Sequence, residues 1–414
     1  MVNRNRLPRW VNALIDAIAD APMSPIGRLA ARRMGTPAPA GTIPAITFPE
    51  RPIRVLIAPV NYSGQARAWA QALEASSPEI SARNTAMDVP GGFSFDADLI
   101  VPVATFHNDA DWQRRQFDAA AHATHVLIEA AEPPFGRMLG RSVEAQVEAL
   151  RARGVDIAYL AHGTEIRMPS RDLRDNPWSH YADPEIYAPR DETLARRNIA
   201  LLRRSGRPLF VSTPDLLLDL PEAHWCPVVV DLSRWEPAAP RTERPAGAPL
   251  RVAHAPSVST IKGTHLILPT LRALEAEGTI ELQLITGVPS AQMPAKFAEA
   301  DVVIDQMRIG SYGVAAAEAM AAGCVVVGHI APRVREIVED ATGSPPPIVE
   351  ATVDTIEQVL RELAAGDLRT LRTRSREFVT QVHDGTRSAA TLRTHWIDAG
   401  ARPDTEGTSD ASPR

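Results

Sequence analysis

Residues 301–328 read DVVIDQMRIGSYGVAAAEAMAAGCVVVG. An apolar run, Val302 to Ile304, stops at Asp305. The loop that follows holds Gly310, Ser311, Tyr312 and Gly313. A helix-forming run then starts at Val314 and carries Glu318 just over one turn in. Residues 324–328 are a second apolar run. Strand, glycine-containing loop, helix and strand make a βαβ unit with parallel strands. The free amides of such a loop and the helix N-terminus suit a diphosphate. A carboxylate on the helix can accept two hydrogen bonds from a ribose diol. An ordinary strand–turn–helix with a solvated glutamate has the same pattern.

The alternation extends in both directions. Residues 53–59 (IRVLIAP) are a near-continuous apolar run, as expected for a strand buried on both faces. Further strands are predicted at 98–103, 124–128, 157–161, 209–212, 251–255 and 280–285. Helices are predicted between them, among others at 65–75, 142–153, 191–205 and 263–277, with 353–365 and 368–382 near the end. Such alternation means doubly wound parallel sheets. Pro237, Pro240, Pro245 and Pro249 interrupt it and read as a linker. The predicted organisation is an N-terminal helical appendage and linker at 1–50 and a Rossmann-like domain at 51–235. The linker follows at 236–249, then a second Rossmann-like domain at 250–401 and a disordered tail at 402–414. Two such domains face each other across a cleft, and ligands bind outside the carboxyl ends of the strands.

Composition narrows the function. The chain has 414 residues and a net charge of −6, so no global basic field points to nucleic acid. Two cysteines exclude a disulfide scaffold. No apolar stretch is long enough to span a bilayer, and a reduced, cytoplasmic protein is expected. Trp10, Val11, Leu14, Ile15 and Ile18 share one helical face, beside Arg4, Arg6 and Arg9. Packing of this face on the protein's own surface is expected; peripheral contact of residues 1–35 with an anionic membrane face is the alternative. Of 44 basic residues only Lys262 and Lys296 are lysines. Lys262 follows the strand at 251–255 in HAPSVSTIKGT, where an ammonium can serve as a point charge on phosphate. Lys296 lies beside no such loop and reads as a surface residue.

Residues 301–328 resemble the donor-nucleotide motif of the retaining, GT-B-fold glycosyltransferases of family 4, E-x-F-G-L-x-x-x-E-A-M-A-x-G. Tyr312, Gly313, Glu318, Ala319, Met320, Ala321 and Gly323 fit its register. The resemblance implies a GT-B fold, a UDP- or GDP-linked sugar as donor, a saccharide or lipid-linked acceptor, and no metal or cofactor. It implies that Glu318 holds the ribose hydroxyls and that Lys262 grips the diphosphate. The family's first glutamate falls on Gly310 and its phosphate-binding arginine on Ser257, two departures. Asp305 or Gln306 would then supply the polar contact to the sugar, and Arg308 the missing charge. His162, in IAYLAHGTEIR, is similar to the family's H-G-[ST]-[DE] stretch, whose histidine lies near the donor sugar. Asn61 to Gly64 corresponds to the glycine-rich loop near the acceptor or the phosphates, but with one glycine, not several, it reads better as a plain turn.

Other patterns are weaker. Asp96/Asp98 and Asp109/Asp111 read as strand-edge and loop carboxylates, and His122/His125 lacks a third ligand. G-x-G-x-x-G, Walker A and G-x-S-x-G are absent. The resulting expectation is a hexosyltransferase acting in cell-envelope or exopolysaccharide synthesis. A nucleotide-sugar epimerase on the same fold and a catalytically reduced binding or assembly protein are the alternatives.

Overall fold

The computed structural model describes residues 3–90, 92, 95–235, 244–245, 247–256 and 258–399, with the backbone alone at 30–32. Ser257, most of the Pro-rich linker and the 402–414 tail lie outside the described residues.

The N-half is one parallel sheet of seven strands. They are β1 (Ile53–Ala58), β2 (Ile80–Asp88), β3 (Leu99–Pro102), β4 (His125–Glu129), β5 (Asp156–Ala161), β6 (Leu209–Val211) and β7 (His224–Trp225), in the order β3-β2-β1-β4-β5-β6-β7. The C-half is a parallel sheet of five, β8 (Leu250–His254), β9 (Ile280–Leu284), β10 (Val302–Ile304), β11 (Val325–Gly328) and β12 (Ile348–Glu350), in the order β12-β11-β10-β8-β9. Ile57 pairs with Leu127 and Val303 with Ala253 across the two centres. Val55, Leu56, Ile57, Val126, Leu127 and Ile128 are fully buried, because helices cover both faces of the sheet.

The quoted stretch folds as read, from β10 through a loop to the Val314–Ala321 helix and β11. Ala316, Ala317, Ala319, Met320 and Ala321 are all buried. Their small side chains let this helix lie between the sheet and the Arg369–His383 helix. The chain then returns to the N-half. Ala389 and Leu392, on the Thr386–Leu392 helix, and Trp396 pack with Val55, Trp69 and Phe210, although the sequence groups them with the second domain. No helix among the described residues is long and apolar enough to cross a membrane.

Both sheets have a switch point, where neighbouring strands lead away in opposite directions. In the N-half it lies between β1 and β4, and in the C-half between β8 and β10. The carboxyl ends at these points are where open α/β sheets bind ligands.

Candidate active site

The C-half switch point is bridged by an ion pair. Lys262 follows β8 and Asp305 follows β10, and Lys262 Nζ donates to Asp305 Oδ1 at 2.5 Å. Both side chains are largely buried. Lys262 closes the short Ser259–Lys262 helix, and Gly263 terminates it at φ +79°. A Cβ at Gly263 would lie 3.0 Å from Arg308 Cγ, so backbone and space both call for glycine.

Glu318 lies on the next element. Its carboxylate has no hydrogen-bond partner among the described residues. Burial pushes its pKa up to about 7, against the pull of Arg234 and Lys262, and Asp305 adds to the rise. No side chain caps the Val314–Ala321 helix. Gly313 before it has open space where a side chain would stand. The first amides of the helix thus face a space that a ligand can enter.

Three loop residues serve the scaffold instead. Gln306 Oε1 accepts from the Arg308 and Ile309 amides at 2.9 and 2.6 Å. Its Nε2 donates to the carbonyls of Ser311 and His329. With its amide fully used, Gln306 has nothing left for a sugar, contrary to the sequence reading. Tyr312 is buried against Phe378 and His383. His383 Nδ1 donates to the Val228 carbonyl at 2.7 Å. Its Nε2 therefore accepts, and the Tyr312 hydroxyl donates to it at 3.2 Å. Tyr312 thus braces the core and does not face a ligand. Gly310 has φ +70°, and a Cβ there would lie 3.3 Å from Ala331 Cβ and 3.5 Å from Asn176 Nδ2. This position holds no glutamate because it offers a side chain neither a relaxed backbone nor free room.

The N-half switch point carries Glu129, at the end of β4, which sequence reasoning missed. It is fully buried. Its Oε2 accepts from the Val60 and Asn61 amides, both at 3.1 Å, after β1. Its Oε1 takes His162 Nε2 at 3.0 Å, after β5. The His162 ring also lies edge-on to Tyr62, with centroids 5.1 Å apart. Glu165 turns back to accept the His162 and Gly163 amides. The Asn61 side chain is engaged with Asp96 and Arg67 backbone, so it shapes the turn. Gly64 closes that turn at φ +75°, against Phe95. Asn61, Ser63, Ala130 and Ala131 all have left-handed backbones, so strained conformations gather around this histidine. The one sequence signal for Glu129 was a carboxylate closing the apolar run VLIE.

The halves meet around the same loops. Arg308, expected to lend charge to a phosphate, is buried in the junction. Its guanidinium donates to the Trp178 and Ser179 carbonyls at 3.2 and 2.9 Å and pairs with Asp183 at 2.7 Å. Asn176 Nδ2 donates to the Arg308 carbonyl at 2.8 Å. Nearby, Arg167 pairs with Asp215 at 2.7 Å. Burial alone would raise the Asp215 carboxyl, and Arg167, with the Thr213 and Ser311 hydroxyls, turns this into a lowering. The Ser311 hydroxyl of the C-half approaches the same carboxylate. Asp98 and Asp109 are structural: the first pairs with Arg67 and the second caps a helix.

Lys262, Asp305, Glu318, Gly313 and Val314 therefore gather at the carboxyl ends of the C-half strands. His162 and the Asn61–Gly64 turn gather at those of the N-half.

Two parallel doubly wound sheets in this arrangement recur in solved structures. Sucrose-phosphate synthase from Thermosynechococcus elongatus superposes with a TM-score of 0.54 at 12% identity, covering 84% of this chain and 99% of that one. The chain has the GT-B fold. The catalytic domain of starch synthase IV from Arabidopsis thaliana, bound to ADP and acarbose, gives 0.50 at 11%, covering 85% and 100%. HepE of Anabaena in complex with UDP-glucose gives 0.50 at 11%, covering 83% and 99%. No family model matches the sequence, and no curated protein matches it.

Proposed function

We propose that this GT-B protein transfers a sugar from a UDP- or GDP-linked donor to a saccharide or lipid-linked acceptor, with retention, in cell-envelope or exopolysaccharide synthesis. Glu318 carries the reading. Its half-buried carboxylate is left free by the described protein groups to accept hydrogen bonds from a ligand, and a ribose diol supplies two. In this reading Lys262 and the uncapped helix start at Gly313 and Val314 take the diphosphate attached to that ribose. They neutralise charge that grows as the diphosphate leaves, which is the main catalytic task of such a site. The C1–O bond to the diphosphate breaks and one to the acceptor hydroxyl forms. The hydroxyl proton passes to the departing phosphate oxygen. His162, aimed by Glu129, addresses the sugar from the other half. The GT-B neighbours that hold UDP-glucose or ADP support a nucleotide-bearing ligand.

A calorimetric screen of UDP- and GDP-sugars on wild type, Lys262→Ala and Glu318→Gln tests this. Binding to wild type and at least about tenfold weaker binding to both variants is expected. Equal binding by all three proteins sinks the assignment. Gly310 in place of the family's first glutamate favours a second reading, a binding protein without transferase activity. Donor binding with neither transfer nor hydrolysis, across a broad acceptor panel, supports that one.

A further inference from the structure

α1 (Arg9–Asp20) packs on the N-half through its polar face. Asn12 is its one buried residue and accepts from Arg4. Asp16 pairs with Arg4 at 2.8 Å, and Asp20 with Arg190 at 2.8 Å and Arg197 at 3.3 Å. These three residues are spaced by four and share one face. Trp10 and Leu14, each two residues away from that set, lie on the opposite side. They are 71% and 54% exposed. α2 (Pro25–Arg32) adds Ile26 and Leu29, at 57% and 62%. A Cβ at Gly27 would lie 2.5 Å from the Ala21 carbonyl oxygen, so glycine lets α2 fold against the turn after α1. Arg137 donates to the Pro22 and Gly27 carbonyls and fastens the corner. The amphipathic pair is therefore held with its apolar side to solvent, the reverse of the packing expected from the sequence.

Exposed arginines accompany this face. Arg6, Arg9, Arg28 and Arg33 are exposed, while both aspartates of α1 are neutralised against the protein. We propose that α1 and α2 dock on an anionic lipid surface, the apolar side chains entering the acyl boundary and the arginines meeting head groups. A second copy on the same patch would set these arginines against their own equivalents across a two-fold axis. The patch also adjoins the N-half site. Arg141, four residues from the Arg137 anchor, reaches Glu132 at 3.6 Å, and the Glu132 amide donates to the Glu129 carbonyl at 3.0 Å. Taken with the transferase reading, on which this last step rests, the acceptor is anchored in the membrane the protein sits on.

Vesicle flotation tests the docking. The full chain is mixed with vesicles of phosphatidylcholine alone, or with about a third phosphatidylglycerol, at low and high salt. Wild type is expected to float with the anionic vesicles and to lose binding as salt rises. Trp10→Ser/Leu14→Ser, altered only at exposed positions, should bind at least about tenfold more weakly with unchanged circular dichroism. No flotation, equal flotation by the variant, or a dimer that the variant abolishes without flotation overturns the docking. Flotation without nucleotide-sugar binding sinks the transferase reading alone, and transfer to soluble saccharides without flotation sinks the docking alone.

Discussion

Glu318 makes its own stability prediction. Its pKa in the folded chain is about 7, against an ordinary 4.5, because burial disfavours the charge. The folded state then binds the proton more tightly than the unfolded chain. Glu318 is neutral below about 4.5 and opposes folding increasingly as pH rises toward 7, beyond which the effect is complete. Glu318→Gln should therefore raise Tm more at pH 8 than at pH 5, by up to about 3 kcal/mol of stability. Thermal melts at both values check this, and an equal shift at the two would refute the raised pKa. Donor affinity has the opposite trend. The ionised carboxylate is the better acceptor for the ribose hydroxyls, so binding should strengthen from pH 6 to pH 8 in wild type and stay flat in Glu318→Gln. The lysine scarcity also resolves at this scale: Lys296 pairs with Glu299 on the surface, whereas Lys262 is buried against Asp305.

That ion pair joins two elements, the helix after β8 and the loop after β10, and it separates folding from binding. Lys262→Ala leaves Asp305 buried without its cation, which should cost about 3 kcal/mol. Adding Asp305→Asn removes the unpaired charge. The double variant should regain most of the lost Tm in a denaturation series while donor binding stays lost. Recovery of both would make Lys262 purely structural. At this scale the sequence was most legible where strands are buried on both faces, as in β1, β4, β5, β8, β10 and β11, since these read as apolar runs. β2 was missed because it buries polar residues: Asn84 exchanges hydrogen bonds with Asp98, and Ser81 and Thr85 are buried too. β7 has two residues, too few to show a period, and β12 is a short stretch ending in Glu350 directly after Pro345, Pro346 and Pro347, with no apolar run to mark it. Lys262 and Glu318 were legible because each lies within a few residues of the turn that aims it. Glu129 was not, since its partners sit 33 and about 70 residues away. The N-terminal helices had the right period, but periodicity shows that an apolar face exists and not which way it points.

On the scale of the whole molecule, Arg308 is the fastening between the halves. It belongs to the C-half, yet its guanidinium reaches three acceptors of the 178–183 segment and its carbonyl takes the Asn176 amide. These partners lie 125 to 132 residues away, which is why the sequence offered no sign of the role. Arg308→Ala leaves Asp183 without its buried cation and two carbonyls without donors, so a loss of about 3 kcal/mol is expected. Arg308→Lys should recover little, because a point ammonium cannot span acceptors placed for a planar fork. With this bond gone the halves are free to hinge apart, and small-angle scattering should show a larger radius of gyration than for wild type. An unchanged scattering curve and Tm would mean that the apolar contacts hold the junction without it. Donor binding distinguishes this role from a direct one. Lys262, Glu318 and the helix start at Val314 all lie in the C-half and survive the opening. Arg308→Ala should therefore weaken donor binding less than Lys262→Ala does, while sugar transfer, which also needs His162 from the N-half, falls further than binding.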